Sequence, residues 1–358
     1  MKKRWKILGG LVALTLVAAA APIVYVETQC DGPVEGPEAG DYRPRLTGSD
    51  ARPEARTWLT YPEWHIVYSA ESLGRHLQQK RPPSAYPYLA DVGAFWSSTC
   101  AVSHAAGGAS GAGEAKVMIY TIGLSFAAEM VVKSAWENTV GRLFEAVSGW
   151  TSADDRHAAR VQADYGRFMH ETPWYKYPFG QALSGLWGTE EPDLGGRHWE
   201  RRVALSLEYG VKAGYAKLIG WASGSALGAD ETRMRLLVRG DAAAVAAAGE
   251  GLRITERADG ALLVDAPRYE RFTGLVRKLA PTDAQIVEIA GNDDVLVTFQ
   301  ADAAGLAGLP HGARLVDMPL GDRPGWRRVG ITVKVGDLLP AIRALPAGHA
   351  EFEHVYDY

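Results

Sequence analysis

The chain has 358 residues, with 38 basic and 42 acidic side chains, a net charge of −4, and 47% hydrophobic against 22% charged residues. That is ordinary globular composition, long enough for about two domains, and it lacks the basic excess that marks a nucleic-acid partner. Tyr (15) and Trp (11) outnumber Phe (8), a bias toward rings with a polar tip, which settle at membrane interfaces and ligand surfaces.

Lys2, Lys3, Arg4 and Lys6 run straight into an uncharged, mainly apolar segment, Ile7–Val26. About twenty such residues match the hydrocarbon thickness of a bilayer. Basic charge before the span keeps that end in the cytoplasm, so Glu27, Asp31 and everything after them face outward. Residues 1–27 therefore read as a signal-anchor helix in the inner (cytoplasmic) membrane, with the bulk of the chain extracytoplasmic. A cleaved signal is the competing reading, because Ala18–Ala21 offer small residues to a peptidase. Pro22 beside that bond and the continued apolar run Ile23–Val26 favour a retained anchor. Glu27, Thr28 and Gln29 before Cys30 argue against a lipoprotein.

Cys30 and Cys100 are the two cysteines of the chain. In an oxidising compartment they have one intramolecular pairing, and a bridge would tie Cys100 close to the membrane. The alternatives are free buried thiols, or Cys100 with His104 as an i, i+4 metal pair, too few ligands to make a site; no metal or cofactor is expected. Residues 28–54 are rich in Gly, Pro and charge and read as an extended linker.

Order is expected from residue 55. Thr60, Pro62 and Glu63 have the spacing of a capping box that opens a helix to about Leu77, and Pro87 to about His104 reads as a second helix. Gly107–Ala112 is a loop of small residues. Lys116–Val147 carries the longest helical pattern, with an apolar first part, Val117–Ala128, of the length of a buried core helix. Thr151 and Asp154 cap a helix through Phe168 that must stop before Pro173. The segment Pro173–Phe179 is irregular, and its prolines are expected to hold Trp174, Tyr175, Tyr177 and Phe179 in an exposed apolar patch, a candidate interface. Trp199 to about Ala222 is helical again.

Beyond Gly228 the hydrophobic period falls to two. Strands are expected at Arg233–Val238, Leu252–Arg257, Ala261–Val264, Gln285–Ala290 and Val295–Gln300, with helices at Ala242–Ala248 and Tyr269–Leu279 and a hairpin turn at Asp259–Gly260. Strand, helix, strand, strand, helix, strand is the order of a ferredoxin-like unit. Later strands at Arg314–Met318, Val329–Val335 and Glu351–Tyr356 would extend the same sheet. The fold class is therefore α+β: an anchor helix, an all-α domain at 55–228, and a ferredoxin-like α+β domain at 229–358.

Two helices resemble each other. Glu129, Lys133, Trp136, Val140 and Gly141 align with Glu208, Lys212, Tyr215, Ile219 and Gly220, and Glu four residues before Lys is the favourable order for an intrahelical pair. Packed together, the two stripes make a shared polar core, the candidate ligand site; apart, they are ordinary solvated ion pairs. Ser206, Gly210 and Gly214 add a small-residue stripe for close helix approach. Glu63, His65, Glu71 and His76 are acid–base candidates, and His349, Glu351, Glu353 and His354 a weak metal candidate, none of them within a catalytic motif.

No nucleophile-elbow, HExxH, phosphate-loop or CxxC pattern is present, and the leading expectation is a non-enzymatic, membrane-anchored binding or accessory protein for a lipid-like ligand or a membrane-protein partner. The alternatives are an enzyme on a membrane-associated substrate using Glu and His groups, and a multipass protein with buried Glu–Lys pairs.

Overall fold

The computed structural model describes residues 20–32, 42–52, 57–108, 113, 115–188, 195–222, 232–256 and 259–356; most of the expected anchor lies outside them. Helix α1 occupies 20–29. Its Val26, and Cys30 just beyond it, are buried among Tyr88, Phe95, Trp96, Ile119 and Phe126. The last turn of the expected span thus lies partly against protein, although Val24 and Tyr25 remain exposed. Cys30 and Cys100 form a disulfide across a separation of 70 residues, which removes Cys100 from any metal pair with His104.

The helical part comprises α2 (Tyr61–Gln78), α3 (Tyr88–Ala105), α4 (Ala115–Trp136), α5 (Arg142–Ser148), α6 (Ala153–Met169), α7 (Phe179–Trp187) and α8 (Gly196–Ala222). A π turn, Glu137–Gly141, joins α4 to α5 in one 34-residue helix, Ala115–Ser148, long and apolar enough to cross a membrane. The Thr60 capping box does not form: a 3-10 turn, Thr57–Thr60, runs into α2, so Thr60 is already helical and its hydroxyl makes no cap. At α6 the box sits one residue away from the expected place, with Ser152 as cap and Asp155 as its reciprocal partner.

Helices α2 and α6 touch backbone to backbone through two glycines. A Cβ on Gly74 would lie 2.9 Å from the Ala163 Cα, and one on Gly166 would lie 3.1 Å from the Glu71 amide, closer than real Cβ atoms pack. Gln162 Nε2 closes the same contact by donating to the Ala70 carbonyl at 3.1 Å.

The strands form two four-stranded antiparallel sheets. In the first, β1 (Arg233–Arg239), α9 (Ala242–Ala248), β2 (Arg253–Glu256), β3 (Leu262–Pro267), α10 (Glu270–Leu279) and β4 (Gln285–Ile289) follow one another in the spatial order β2-β3-β1-β4, the split β-α-β arrangement. The later strands do not extend it. β5 (Asp294–Ala301), β6 (Arg314–Pro319), β7 (Arg327–Lys334) and β8 (Ala350–Tyr356) build a second sheet in the equivalent order, β6-β7-β5-β8. Helix α11 (Leu338–Arg343) stands where α10 stands in the first, and a 3-10 turn, Gly305–Gly308, replaces α9. The separation begins at Ala290 and Gly291, whose φ values of 48° and 89° turn the chain sharply after β4 instead of letting β5 pair beside it.

Alternate residues of both sheets, Leu236 and Val238 with Val297 and Phe299, share one core with Phe272 and Val276 of α10 and Leu338 of α11. The other face of the second sheet carries Leu296, Val316 and Tyr356 against Trp58, Tyr61, Tyr68 and Val102, which docks α2 and α3 on the strands. The expected linker is not free at its far end. Leu46 is buried on the outer face of the first sheet with Leu237 and Ala261, and Glu288 accepts from the Arg45 and Leu46 amides at 2.8 and 2.7 Å.

Candidate functional site

Along α4 the exposed positions from Val117 to Ala135 are Val117, Met118, Thr121, Ser125, Ala128, Val131, Val132 and Ala135, with no charge among them. Along α8 they are Trp199, Val203, Leu207, Val211, Gly214 and Tyr215 over 199–215, with exposed Gly196 before them and exposed Lys217 and Leu218 beyond. Val132 and Val211 are 68% and 69% exposed, far more than a core would leave. At 1.5 Å per residue these stripes are about 28 and 25 Å long. The helices lie side by side and antiparallel, since Lys133 meets Glu208 while Glu129 meets Lys212. Between 117–135 of α4 and 199–215 of α8 their outward faces therefore make one apolar surface without exposed charge, which ends at Lys217.

Inside that surface lies the charge. Lys133 Nζ is 3.0 Å from Glu129 and 2.9 Å from Glu208, and Lys212 Nζ is 2.8 Å from Glu129 and 3.4 Å from Glu208. Each lysine thus bridges both carboxylates, one on its own helix and one across the seam. Lys212 also lies 4.9 Å above the Tyr165 ring and 5.5 Å above that of Phe179, where the ring faces favour a cation. The aromatics of the aligned stripes go elsewhere. Trp136 Nε1 donates to Glu200 at 2.5 Å, and Tyr215 stacks on Trp174 with ring centroids 5.4 Å apart.

Two turns further along the seam is a second charged cluster that the pairwise alignment does not reach. Arg201 donates to both Glu137 oxygens at 2.8 and 2.9 Å and to Glu200 at 2.5 and 2.8 Å. Arg197 reaches Asp155 at 2.7 Å and Glu200 at 3.0 Å. These groups are buried, as charges must be only when paired. The signal for them is the same periodicity: Glu137 continues Glu129 and Lys133 at steps of four, and Arg201 and Arg197 continue the Glu208 stripe back through Leu205. Between the clusters lies a cavity of about 40 Å³ lined by Lys133, Glu137, Arg201, Glu208, Tyr88 and Tyr209, room for a water or two among polar partners.

The expected aromatic patch is largely core. Tyr177 and Phe179 are buried with Tyr165, Leu186, Leu205 and Tyr209, because the irregular segment folds back against α6 and α8. Trp174 and Tyr175 are half-buried. Of the small-residue stripe, Ser206 meets α7, accepting from Trp187 at 3.0 Å, whereas among the described residues nothing stands within 4 Å of a Cβ built on Gly210 or Gly214.

The acid–base and metal candidates have structural partners. His65 pairs with Asp91 at 3.0 Å, His76 with the Pro82 carbonyl at 2.9 Å, His349 with Asp302 at 2.8 Å, Glu351 with Arg323 at 2.9 Å and Glu353 with Arg328 at 2.7 Å. Among the described residues no group of three or more His, Cys, Asp or Glu is arranged to hold a metal ion. Glu63, freed from capping, is pushed up to about 7 by burial.

Glu71 and His354 meet at the seam between bundle and strands through two residues the sequence reading does not single out. His170 lies 2.8 Å from Glu71 of α2 and 3.1 Å from Glu270 of α10, and Glu270 is 3.4 Å from His354. The Trp64 ring stacks 3.7 Å from that of His354. Burial would lower the His170 pKa, but the hydrogen bonds to Glu270 and Glu71 raise it to about 9. Burial would likewise raise Glu270, and its bonds to His170 and His354 hold it at about 2. Tyr269 at the start of α10 has φ 60°, a costly backbone for a bulky residue.

Compared with protein-family models, curated proteins and solved structures, the chain matches none.

Proposed function

We propose that this is a membrane-anchored, extracytoplasmic accessory module without catalytic activity, which lays the outer face of α4 and α8 against the acyl chains of the bilayer. The observation that carries this reading is that face: exposed, without charge over 117–135 and 199–215, and far larger than the isolated surface leucines of an ordinary monomer. Trp199 and Tyr215, both exposed on the α8 side of this face, are rings with a polar tip, which suit a face seated at the bilayer interface. Helix α1, the continuation of the expected anchor, packs beside the start of α4, with Glu27 3.1 Å from Lys116, so the tether enters next to this face. The disulfide supports an oxidising compartment.

The charges of the seam fit the same reading. Held between the helices and paired twice over, they stiffen the two-helix face without meeting lipid. The turn between β6 and β7 supports an arrangement in which the bundle lies on the membrane. Its Asp322 accepts from Ser72 and Arg75 in the second half of α2, and the second sheet packs on Tyr61 and Tyr68 nearer the start of that helix, so the strands flank the bundle and would have to enter the bilayer if α4 and α8 crossed it.

Flotation tests this directly. The chain from Ala20 onward, mixed with phosphatidylethanolamine and phosphatidylglycerol vesicles, is expected to float with them. Replacing Val132, Leu207 and Val211 by Glu is expected to abolish flotation while leaving the melting temperature within a few degrees. Flotation retained by the triple variant would remove the reading.

A further inference from the structure

The ring of Glu129, Lys133, Glu208 and Lys212 balances, two cations against two carboxylates. The cluster two turns away does not. There Arg197 and Arg201 face four carboxylates, Glu137, Glu145, Asp155 and Glu200, and none of the six side chains is more than 10% exposed. Among the described residues no other cation reaches ion-pair distance of these acids. Negative charge is therefore in excess where water is scarce, which is costly unless donors or protons offset it. Three of the acids have other donors. Glu200 takes the Trp136 indole N–H besides both guanidiniums. Asp155 takes the Ser152 hydroxyl and amide at the start of α6, with the helix dipole behind them, and Glu145 takes the Ser84 hydroxyl and amide. Glu137 has Arg201 alone and shares it with Glu200. The π turn puts it there, since Glu137 is its first residue and Gly141 its last, and a Cβ on Gly141 would fall 2.5 Å from Glu137 Oε2. Such turns are rare and recur at functional sites. Glu137 also borders the cavity of about 40 Å³, together with Tyr88 and Tyr209. Both tyrosines are 3% exposed, and among the described residues neither hydroxyl has a hydrogen-bond partner, so two buried hydroxyls and room for water stand beside the least supported acid.

We propose that Glu137 is a proton-binding site: as the medium is acidified from neutrality it takes up one proton through water in this cavity, at a pH where an ordinary glutamate is still ionised, and the seam between α4 and α8 is firmest in that state. The groups that face it are Lys133 on its own helix, Glu145 of α5, Asp155 of α6, and Arg197, Glu200, Arg201 and Glu208 of α8, with the hydroxyls of Tyr88 and Tyr209; α2 brings only Leu73 and Leu77 to the cavity. Lys133 is engaged by Glu129 and Glu208, and Arg201 by Glu200, so neither cation belongs to Glu137 alone. Protonated, Glu137 still accepts from Arg201, its new O–H is satisfied in the cavity, and its repulsion with Glu200 across that guanidinium falls. The proton comes from solvent and returns to it. The inference concerns the inner side of the seam and does not depend on what lies against the outer face.

Infrared difference spectra of the full-length chain in mild detergent, wild type minus Glu137→Gln, test this. At about pH 5.5 the wild type is expected to carry the stretch of a protonated carboxyl that the variant lacks, and at about pH 8 the difference is expected to be that of an ionised carboxylate. An ionised carboxylate at both would overturn the proposal, as would loss of the protonated band in Glu145→Gln but not in Glu137→Gln. Stability gives a second readout. A proton bound more tightly by the folded chain than by the unfolded one makes stability fall as pH rises from about 4.3, where an unfolded glutamate titrates, to the pH at which the site itself titrates. That part of the melting-temperature slope is expected to vanish in Glu137→Gln, which has the shape of the protonated acid; an unchanged slope would contradict the site. A third measurement leaves Glu137 in place and so does not depend on how its variant folds. In a chain carrying Glu63→Gln and Asp294→Asn, which removes two carboxyls pushed up by burial elsewhere, a protonated band is expected to remain and to titrate at least about one pH unit above the 4.3 of an ordinary glutamate. No band remaining above that pH would overturn the proposal.

Discussion

Lys133 on α4 and Glu208 on α8 meet at 2.9 Å across the seam, and the contact recurs in reverse between Lys212 and Glu129 at 2.8 Å. Two weak intrahelical pairs thereby become a four-charge ring that fixes how the helices face each other. The Lys133 side chain is 14% exposed and that of Glu208 19%, so the ring is neither dry nor freely solvated. Lys133→Met is expected to cost about 2–3 kcal/mol, between the ~0.5 of an exposed pair and the 3–5 of a fully buried one. Glu208→Gln with Lys133→Met together should cost less than the sum. Denaturant unfolding of the full chain in mild detergent gives the coupling energy; additive effects would mean the ring contributes nothing as a unit.

The His170 contact should give stability a pH profile with two limbs. The folded pKa of His170, about 9, lies above the roughly 6.5 of an unfolded histidine, so its contribution is complete below about pH 6.5 and is lost as pH rises through 9. Glu270, at about 2, contributes fully above about 4.5 and loses that as pH falls toward 2. Both are whole only between about pH 4.5 and 6.5. His170→Gln should flatten the alkaline limb, worth on the order of 2–3 kcal/mol, as read from melting temperatures between pH 6 and 9. An unchanged slope would show that the contact does not bind the bundle to α10.

Opening the disulfide should loosen α1 first. A loop of this length stabilises by on the order of 4 kcal/mol, and Cys100→Ser leaves α1 held mainly by Val26 and Glu27. Limited proteolysis is expected to cut near residue 30 in that variant and not in the oxidised chain. Equal protection of both would show that packing alone retains α1.

Phe179→Ala should cost about 3–5 kcal/mol, as for a buried aromatic, since its ring is 2% exposed and touches those of Tyr165 and Tyr177. Trp174→Ala, half-buried beside Tyr215, should cost less. Thermal melts of the two variants in parallel decide this; equal small losses would return the segment to the surface.

The first sheet is legible in the sequence because its two helices are long enough to show a helical period between strands of period two. The strands of the second are legible too, but not their separation into a sheet of their own, because a 3-10 turn of four residues, Gly305–Gly308, stands where a helix would announce the repeat. Glu129, Lys133, Glu208 and Lys212 can be paired from spacing alone, since steps of four hold a stripe on one helix face. Arg197, Glu200 and Arg201 escape that pairing because they lie beyond the aligned stretch, and Asp155 because it comes from a third helix. Burial of Tyr177 and Phe179 depends on how an irregular segment folds back on α6 and α8, a tertiary matter that proline positions do not decide. His170 and Glu270, 100 residues apart, belong to two structural units and share no local pattern at all.

The most direct test of the lipid-facing account is photocrosslinking in native membranes. A benzophenone amino acid placed at Val132, at Val211, and at Lys334 as a control on the second sheet is activated in the full-length chain, and the products are identified by mass spectrometry. The account predicts phospholipid adducts at Val132 and Val211 and none at Lys334. Crosslinks from Val132 and Val211 to a protein, to a second copy of the chain, or to nothing at all would contradict it.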